Sequence, residues 1–128
     1  MGRTAELTRA EEQVMQILWS IGKGFVHDIL DRFPEPRPAY NTVSTILRIL
    51  EKKGYVDHDS LGKSHMYFPR VERSIYMRSY LRNFVHRYFS DSYQSLTSFF
   101  LREDELSLEE LELMRRHIDD HIGKKQRP

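Results

Sequence analysis

The stretch NTVSTILRILEKKGYV, residues 41–56, carries short polar side chains followed by cations at the spacing of one helix face. Asn, Ser and Thr are short enough to let a helix approach base edges closely, and Arg or Lys can pair with phosphate or guanine. The free amides at the start of such a helix offer a phosphate a further site. We therefore predict contact with DNA through this face, and a solvated face of an ordinary core helix is the competing interpretation. The residues concerned are Tyr40, Asn41, Thr42, Ser44, Thr45, Arg48 and Lys52.

The opposite face of the same helix is apolar and predicts how the helix is held. Its apolar residues recur three or four positions apart, which is the period of a helix face buried against neighbouring helices. These residues are Val43, Ile46, Leu47 and Leu50. Gly54 is suited to end the helix, because glycine readily adopts the conformation that follows a last helical turn.

Two helices are predicted before this one. Thr8 and Glu11 have the spacing of a capping box, in which the threonine side chain accepts from the glutamate amide and the glutamate reaches back. Apolar residues at helical spacing, with Trp19 beside them, then continue the first helix to Gly22. A shorter helix fits residues 27–33, and the segment PEPRP at residues 34–38 predicts a rigid loop.

A β-hairpin is predicted directly after the third helix. Residues 55–61 and 65–68 have strand composition, and Gly62 with Lys63 suits a tight turn between them. The order helix, helix, helix, hairpin is that of a winged helix-turn-helix domain, in which Lys63 and His65 would reach the DNA backbone or minor groove. Between residues 37 and 70 there are six Lys or Arg against three acids, which favours the DNA-facing interpretation.

The region after Pro69 is predicted to be helical and dimeric. Residues 72–89 form a long pattern dense in aromatics, residues 93–102 a shorter helix, and Ser107 with Glu110 a second capping box that starts a last helix ending near residue 122. An 18-residue helix is about 27 Å long, so its apolar stripe would leave a large exposed patch unless a two-fold partner covered it. Packing back onto its own domain is the alternative. The predicted fold is therefore mainly α with a small β-hairpin: a winged-helix DNA-binding domain over residues 1–70 and a helical dimerisation domain over residues 71–128.

Several classes of protein are excluded or disfavoured by composition and motifs. The 128 residues carry a formal net charge of +1 and no cysteine, which excludes disulfides and thiolate metal sites. No apolar run approaches the roughly 20 residues of a membrane span, and the N-terminal sequence lacks the apolar core of a signal peptide, so we expect a cytoplasmic protein. The phosphate-binding loop, the dinucleotide fingerprint and the nucleophile elbow are all missing, and we expect neither an enzyme nor a cofactor. His117 and His121, with Asp120 adjacent, have the spacing of helical metal ligands, but an exposed helix face is the favoured interpretation and no metal site is predicted.

Three segments together resemble a known family. They are LTRAEEQVMQILW at residues 7–19, NTVSTILRILEKKGYV at residues 41–56, and the hairpin ending HMYFP at residues 65–69. With the aromatic C-terminal helices, these segments are similar to the penicillinase-repressor family of the BlaI, MecI and CopY type. The resemblance covers roughly residues 7–120 and implies a dimeric winged-helix repressor of palindromic operators, in which Asn41, Thr42, Ser44 and Thr45 match the base-reading positions. Asn41 and Ser44 stand where the beta-lactam repressors carry a basic residue.

The resemblance also implies a dimer interface and a mode of inactivation. The family's C-terminal helices form the dimer, and the positions assigned to it here are Met77, Leu81, Phe84, Val85, Tyr88, Phe89, Phe100, Leu111 and Met114. In the beta-lactam repressors a sensor zinc protease cuts an Asn–Phe bond, and the matching candidate cleavage site is Phe99–Phe100, with Phe99 in place of the Asn. The cysteine metal motif of the CopY branch is absent. A winged-helix adaptor that docks a protein partner, without sequence-specific DNA binding, is the alternative function.

Overall fold

Three helices and a hairpin follow one another in the first half of the chain, in the predicted order. In the computed structural model, which describes residues 6–128, they are α1 (Arg9–Ile21), α2 (Val26–Leu30), α3 (Tyr40–Lys52), β1 (Val56–Leu61) and β2 (Ser64–Pro69). Three further helices follow: α4 (Arg73–Phe89), α5 (Tyr93–Arg102) and α6 (Leu108–Gln126). The prediction of a mainly helical chain with one small hairpin is confirmed.

Element boundaries differ from the prediction by more than one residue at two places. α2 ends at Leu30, three residues before the predicted end, and its next residues form a turn in which Phe33 donates to the carbonyl of Leu30. α6 continues to Gln126, whereas the prediction ended near residue 122 with a frayed tail. Lys124 and Lys125 lie in its last turn, where cations offset the negative end of the helix dipole. This favourable charge placement extends the helix past Gly123.

The chain divides into two compact units, Met1–Arg82 and Asn83–Pro128, and the division falls inside α4. The predicted functional boundary lies earlier, after residue 70. The first turns of α4 belong to the first unit because Tyr76 is buried there, 5% exposed. Residues 1–5, on which the expectation about the N-terminal sequence partly depends, lie outside the described residues. None of the helices in residues 6–128 combines the length and apolarity that crossing a bilayer requires.

The predicted capping box at the start of α1 is present. Thr8 Oγ1 accepts from the amide of Glu11 at 3.2 Å, and Glu11 Oε1 accepts from the amide of Thr8 at 2.9 Å. Gly22 ends the helix with φ +86° and donates its amide to the carbonyl of Leu18. A positive φ of this size is sterically unfavourable for a residue with a Cβ, which explains why glycine stands at this position.

The core of the first unit lies where α1, α2 and α3 meet. Val43, Leu47 and Leu50 of α3 are fully buried, and Ile46 is half-buried against the same cluster, so the predicted apolar stripe is confirmed. Partners from the other elements are Val14, Met15, Leu18, Ile29, Tyr55 and Tyr67. Burying each large aliphatic side chain stabilises the fold by roughly 1.5–3 kcal/mol, and this burial sets which face of α3 remains outside.

The hairpin is anchored on the helical core. β1 and β2 pair antiparallel with Val56 opposite Pro69 and Leu61 opposite Ser64, and Gly62 begins the turn with φ +64°. Tyr67 also exchanges two backbone hydrogen bonds of 2.9 Å with Gly24 in the α1–α2 connection. A Cβ on Gly24 would lie 2.9 Å from Ile21 Cδ1 and 3.2 Å from Asp28 Cβ, so a larger residue here would require these side chains to shift.

An aromatic cluster attaches the first turns of α4 to this core. The indole of Trp19 donates to the carbonyl of Val71 at 2.9 Å, and its ring lies 5.6 Å from that of Tyr76. Tyr76 in turn donates its hydroxyl to Glu12 at 3.2 Å. Burial, and then the Glu12 carboxylate, raises the pKa of Tyr76 to about 12, so the phenol stays protonated and remains a donor.

A partly buried ion pair connects α1 to the end of α3. Lys53 Nζ lies 2.7 Å from Oε1 of Glu11, whose side chain is 6% exposed. Burial by itself would raise the pKa of Glu11, but the Lys53 ammonium and the Thr8 amide outweigh it and hold that pKa below 4.5. Removing Lys53 would leave a buried carboxylate with its charge uncompensated.

We expect Lys53→Met to lower the free energy of unfolding at pH 7 by about 2 kcal/mol, less than a fully buried pair because the lysine is about one-third exposed. A depressed folded-state pKa stabilises the fold above the unfolded value and loses that contribution as pH falls. The difference between variant and wild type should therefore shrink as pH falls below about 4.5. Urea unfolding from pH 7 to pH 3 measures it. Lys52→Met, with the same charge change at an exposed neighbouring position, is the control and should stay within about 0.5 kcal/mol of wild type; equal losses in the two variants would contradict the assignment.

Candidate nucleic-acid interface

The outer face of α3 and the hairpin enclose a groove of about 530 Å³. Four predicted DNA-contacting residues reach it from α3, and two reach it from the turn and second strand of the hairpin. α3 is held in place by its apolar stripe, and the hairpin is held on the same core by its contacts with Gly24 and through Tyr55. The six residues that the structure brings together are Tyr40, Asn41, Ser44, Arg48, Lys63 and His65.

The N-terminal end of α3 opens onto this groove. Ala39, which precedes the helix, has no side-chain acceptor, and its carbonyl accepts from the amides of Thr42 and Val43. The first amides of a helix have no intrahelical acceptor, so they carry partial positive charge. Tyr40, 53% exposed, and Asn41 present this end to solvent beside the groove.

Three predicted contact residues lie outside the groove lining. Thr42 lines a smaller hollow of about 350 Å³ between α1, the proline-rich loop and α3. Thr45 and Lys52 are exposed on α3 beyond the residues that line the groove. These three positions would touch DNA only where a duplex extends past the groove.

Seven residues that line the groove were not predicted as contact residues from the sequence: Phe25, Val26, His27, Glu51, His58, Ser64 and Tyr67. The imidazoles of His58 and His65 stack with centroids 4.0 Å apart and an interplanar angle of 1°. The hairpin register explains this pairing, because His58 faces Tyr67 across the strands and His65 lies two residues from Tyr67 on the same face. Strand alternation around the Gly62–Lys63 turn is the sequence signal that could have found His58.

The groove contains one acid with a local partner. Glu51 Oε1 lies 2.5 Å from Nδ1 of His58, and both side chains are partly exposed. Behind them, Asp57 accepts from the amide of His58 at 2.8 Å and from Arg70 at 2.9 Å. The His58 amide, followed by the Arg70 guanidinium, holds the pKa of Asp57 below its ordinary value. Desolvation, and then Glu51, raises the pKa of the buried Tyr67.

Comparison with known proteins decides the family. Residues 7–120 match the family model of the penicillinase repressor. The chain belongs to the penicillinase repressor family. This is a family of transcriptional repressors and not of enzymes, so the expectation of no enzyme is confirmed.

Relatives of this family member align over nearly its whole length. The penicillinase repressor of Bacillus licheniformis is 24% identical over 127 residues, which are 98% of this chain and 99% of that protein. The methicillin resistance regulatory protein MecI of Mammaliicoccus sciuri is 28% identical over 114 residues, 88% of this chain and 93% of that one. The solution structure of the DNA binding domain of the repressor BlaI matches with a TM-score of 0.51 and 25% identity, covering 59% of this chain and 94% of that chain. The winged-helix prediction is thereby confirmed.

Lys63 at the tip of the hairpin tests whether the groove meets a phosphate backbone. We expect Lys63→Ala to weaken binding to all duplexes similarly and to lower the slope of log affinity against log salt by about 0.9, the value for one lost phosphate contact. Fluorescence anisotropy with labelled duplexes between about 50 and 200 mM salt covers the range where such slopes are measured. Lys125→Ala removes an equal charge from the last turn of α6 and should leave the slope unchanged. An unchanged slope for Lys63→Ala would remove the hairpin from the interface.

Proposed function

We propose that this chain is a homodimeric winged-helix repressor that binds a palindromic operator, one half-site per protomer. The observation that carries the proposal is the convergence of Asn41, Ser44 and Arg48 from α3 with Lys63 and His65 from the hairpin on one groove. A helix flanked by a basic hairpin matches the shape of a major groove beside its phosphate backbone. We therefore interpret this surface as a binding site for duplex DNA.

Within this proposal the two sides of the groove have different roles. Asn41 and Ser44 carry short amide and hydroxyl groups toward base edges, and they specify sequence. Arg48 stands farther along α3, where it can pair with a phosphate or with guanine. Lys63 supplies a positive charge whose attraction to phosphate depends little on the DNA sequence. Asn41 and Ser44 replace the basic residues expected from the beta-lactam repressors, so this chain would read a different operator.

Dimerisation is supported by the burial in residues 83–128. In that described segment Val85 is the one fully buried apolar side chain, 1% exposed. Eight large hydrophobic side chains there are more than 40% exposed, and an apolar surface of this kind on a helical layer without its own core requires a cover. The eight are Tyr88, Tyr93, Phe99, Leu101, Leu108, Leu113, Ile118 and Ile122. A second copy of the chain would bury them symmetrically and hold two α3 helices about one DNA turn apart.

The residues assigned to the dimer interface differ in exposure within one chain. Met77, Leu81 and Tyr88 are exposed, and they are free to meet a partner. Val85 is covered by its own chain and needs no partner to leave water. The half-buried members of the set are Phe84, Phe89, Phe100, Leu111 and Met114.

Inactivation by a sensor protease at Phe99–Phe100 is part of the proposal that rests on the family resemblance. The bond lies inside α5, two residues before its end, and Phe99 is 44% exposed. Proteases bind their substrates as extended chains, so cleavage requires the last turn of α5 to unwind. The helix ends at Arg102, and Asp104 follows with φ +54°. The last turn of α5 is therefore at a helix end, where helices unwind most readily.

We expect Tyr88→Glu to convert a dimer into monomers. Tyr88 is 68% exposed in the single chain, so the charge should not unfold the protomer but would be desolvated in the dimer. A penalty of about 3 kcal/mol raises the dissociation constant roughly 100-fold. Sedimentation velocity at equal concentrations measures it. Gln94→Glu adds the same charge at an exposed polar position of α5 and should remain dimeric; a dimeric Tyr88→Glu variant would remove this face from the interface.

Selection of bound duplexes from a random pool tests the function itself. We expect inverted half-sites whose centres lie roughly 10 base pairs apart. Asn41→Ala should relax preference at particular base pairs, with about 1–3 kcal/mol of discrimination lost there, while Lys63→Ala leaves the selected sequence unchanged. Recovery of random sequence together with salt-insensitive retention of duplex would instead support the adaptor.

A further inference from the structure

Three side chains at the base of the hairpin converge in a way that the DNA interface does not require. Glu51, Asp57 and His58 each present one ligating atom, and these atoms lie within 4.8 Å of one another. Among residues 6–128 this is the one group of three His, Cys, Asp or Glu side chains with such geometry. The pair His117 and His121, with Asp120, does not converge in this way.

The chain reversal after α3 creates the cluster. Glu51 lies in the last turn of α3, and Asp57 and His58 are the second and third residues of β1. Gly54 reverses the chain with φ +84°, and the amide of the buried Tyr55 donates a hydrogen bond of 2.9 Å to the carbonyl of Leu50. The spacing of the three residues along the sequence corresponds to no metal motif, so only the folded turn brings them together.

The orientation of each ligand is fixed by a neighbour. The His58 imidazole is stacked on His65 at 4.0 Å, with Nδ1 toward Glu51. Asp57 is held by the His58 amide and by Arg70, which is how outer-shell partners orient the ligands of metal ions. The three side chains are 24–41% exposed, so an ion can arrive without opening the core.

We propose that Glu51, Asp57 and His58 bind one divalent transition-metal ion of the Zn²⁺ class, with water completing its coordination. One imidazole nitrogen and two carboxylate oxygens form a donor set that suits such ions. Two carboxylates beside one imidazole and Arg70 also leave negative charge that a dication offsets. A bound ion would join the end of α3 to the first strand of the hairpin and so fix the orientation of the hairpin relative to α3.

The ion would also act on the groove charge. Glu51 lines the groove, where its negative charge repels phosphate, and a dication bound to it would cancel that repulsion. This consequence for DNA affinity rests on the proposed function, whereas metal binding itself does not. The test is therefore made on the protein without DNA, so that its failure and the failure of the repressor proposal are distinguishable.

Isothermal titration of the full chain with zinc chloride is the experiment. We expect about one Zn²⁺ per chain in wild type, and at least about 100-fold weaker binding in the Glu51→Gln, His58→Asn double variant, since even outer-shell losses cost 10–100-fold. The control is the His117→Ala, His121→Ala double variant, which should bind like wild type. Unchanged affinity in the first variant, loss in the control, or no binding by wild type would each overturn the proposal.

A second measurement avoids substitution altogether. Co²⁺ takes the same ligands as Zn²⁺ and is paramagnetic, so it shifts or broadens nearby amide resonances of the wild-type chain. We expect the largest effects at residues 51–58 and at His65, which contacts the His58 ring. Effects confined to residues 117–124 would place the ion on α6 and overturn the assignment.

Discussion

Burial of one face of α3 is the interaction on which the rest of the structure depends. Val43, Leu47 and Leu50 have no exposed surface, and their packing against α1 and α2 fixes the rotation of the helix about its axis. Each residue of a helix is rotated by about 100° from the last, so a shift of one position would turn Asn41 and Ser44 away from the groove. Burial of the apolar face therefore sets the direction of the polar face, on which the proposed recognition of DNA depends.

The hairpin depends on this core through a few long-range contacts. Tyr67 is buried and bonded to the backbone of Gly24, while Lys53 joins Glu11 across 42 residues of sequence. These contacts fix the distance between α3 and the turn at Lys63, and with it the width of the groove. Glu51 and His58 lie where the end of α3 meets the first strand of the hairpin. An ion bound there would also affect the distance between α3 and the hairpin turn.

The C-terminal helices follow the opposite logic. They are well capped, with Ser92 and Ser107 accepting from backbone amides of α5 and α6, so each helix is locally specified. Yet Val85 is their one fully buried apolar residue within the described segment 83–128. Local helix signals together with so little buried apolar surface are the grounds on which we propose that a second copy of the chain covers this region.

The amino-acid sequence by itself determined the order of the elements, the caps at Thr8 and Ser107, the buried stripe of α3 and the turn at Gly62, since all of these depend on residues within one or two helical turns. It also carried the family resemblance. The tertiary structure alone decided that α4 begins on the first unit through Trp19 and Tyr76, that Thr42 faces a different hollow from Asn41, and that His58 stacks on His65 beside Glu51. Those placements depend on where the hairpin returns to the core. The spacing of residues along the sequence does not encode the position of the hairpin on the core, because that position is set by the packing of side chains that are far apart in the chain.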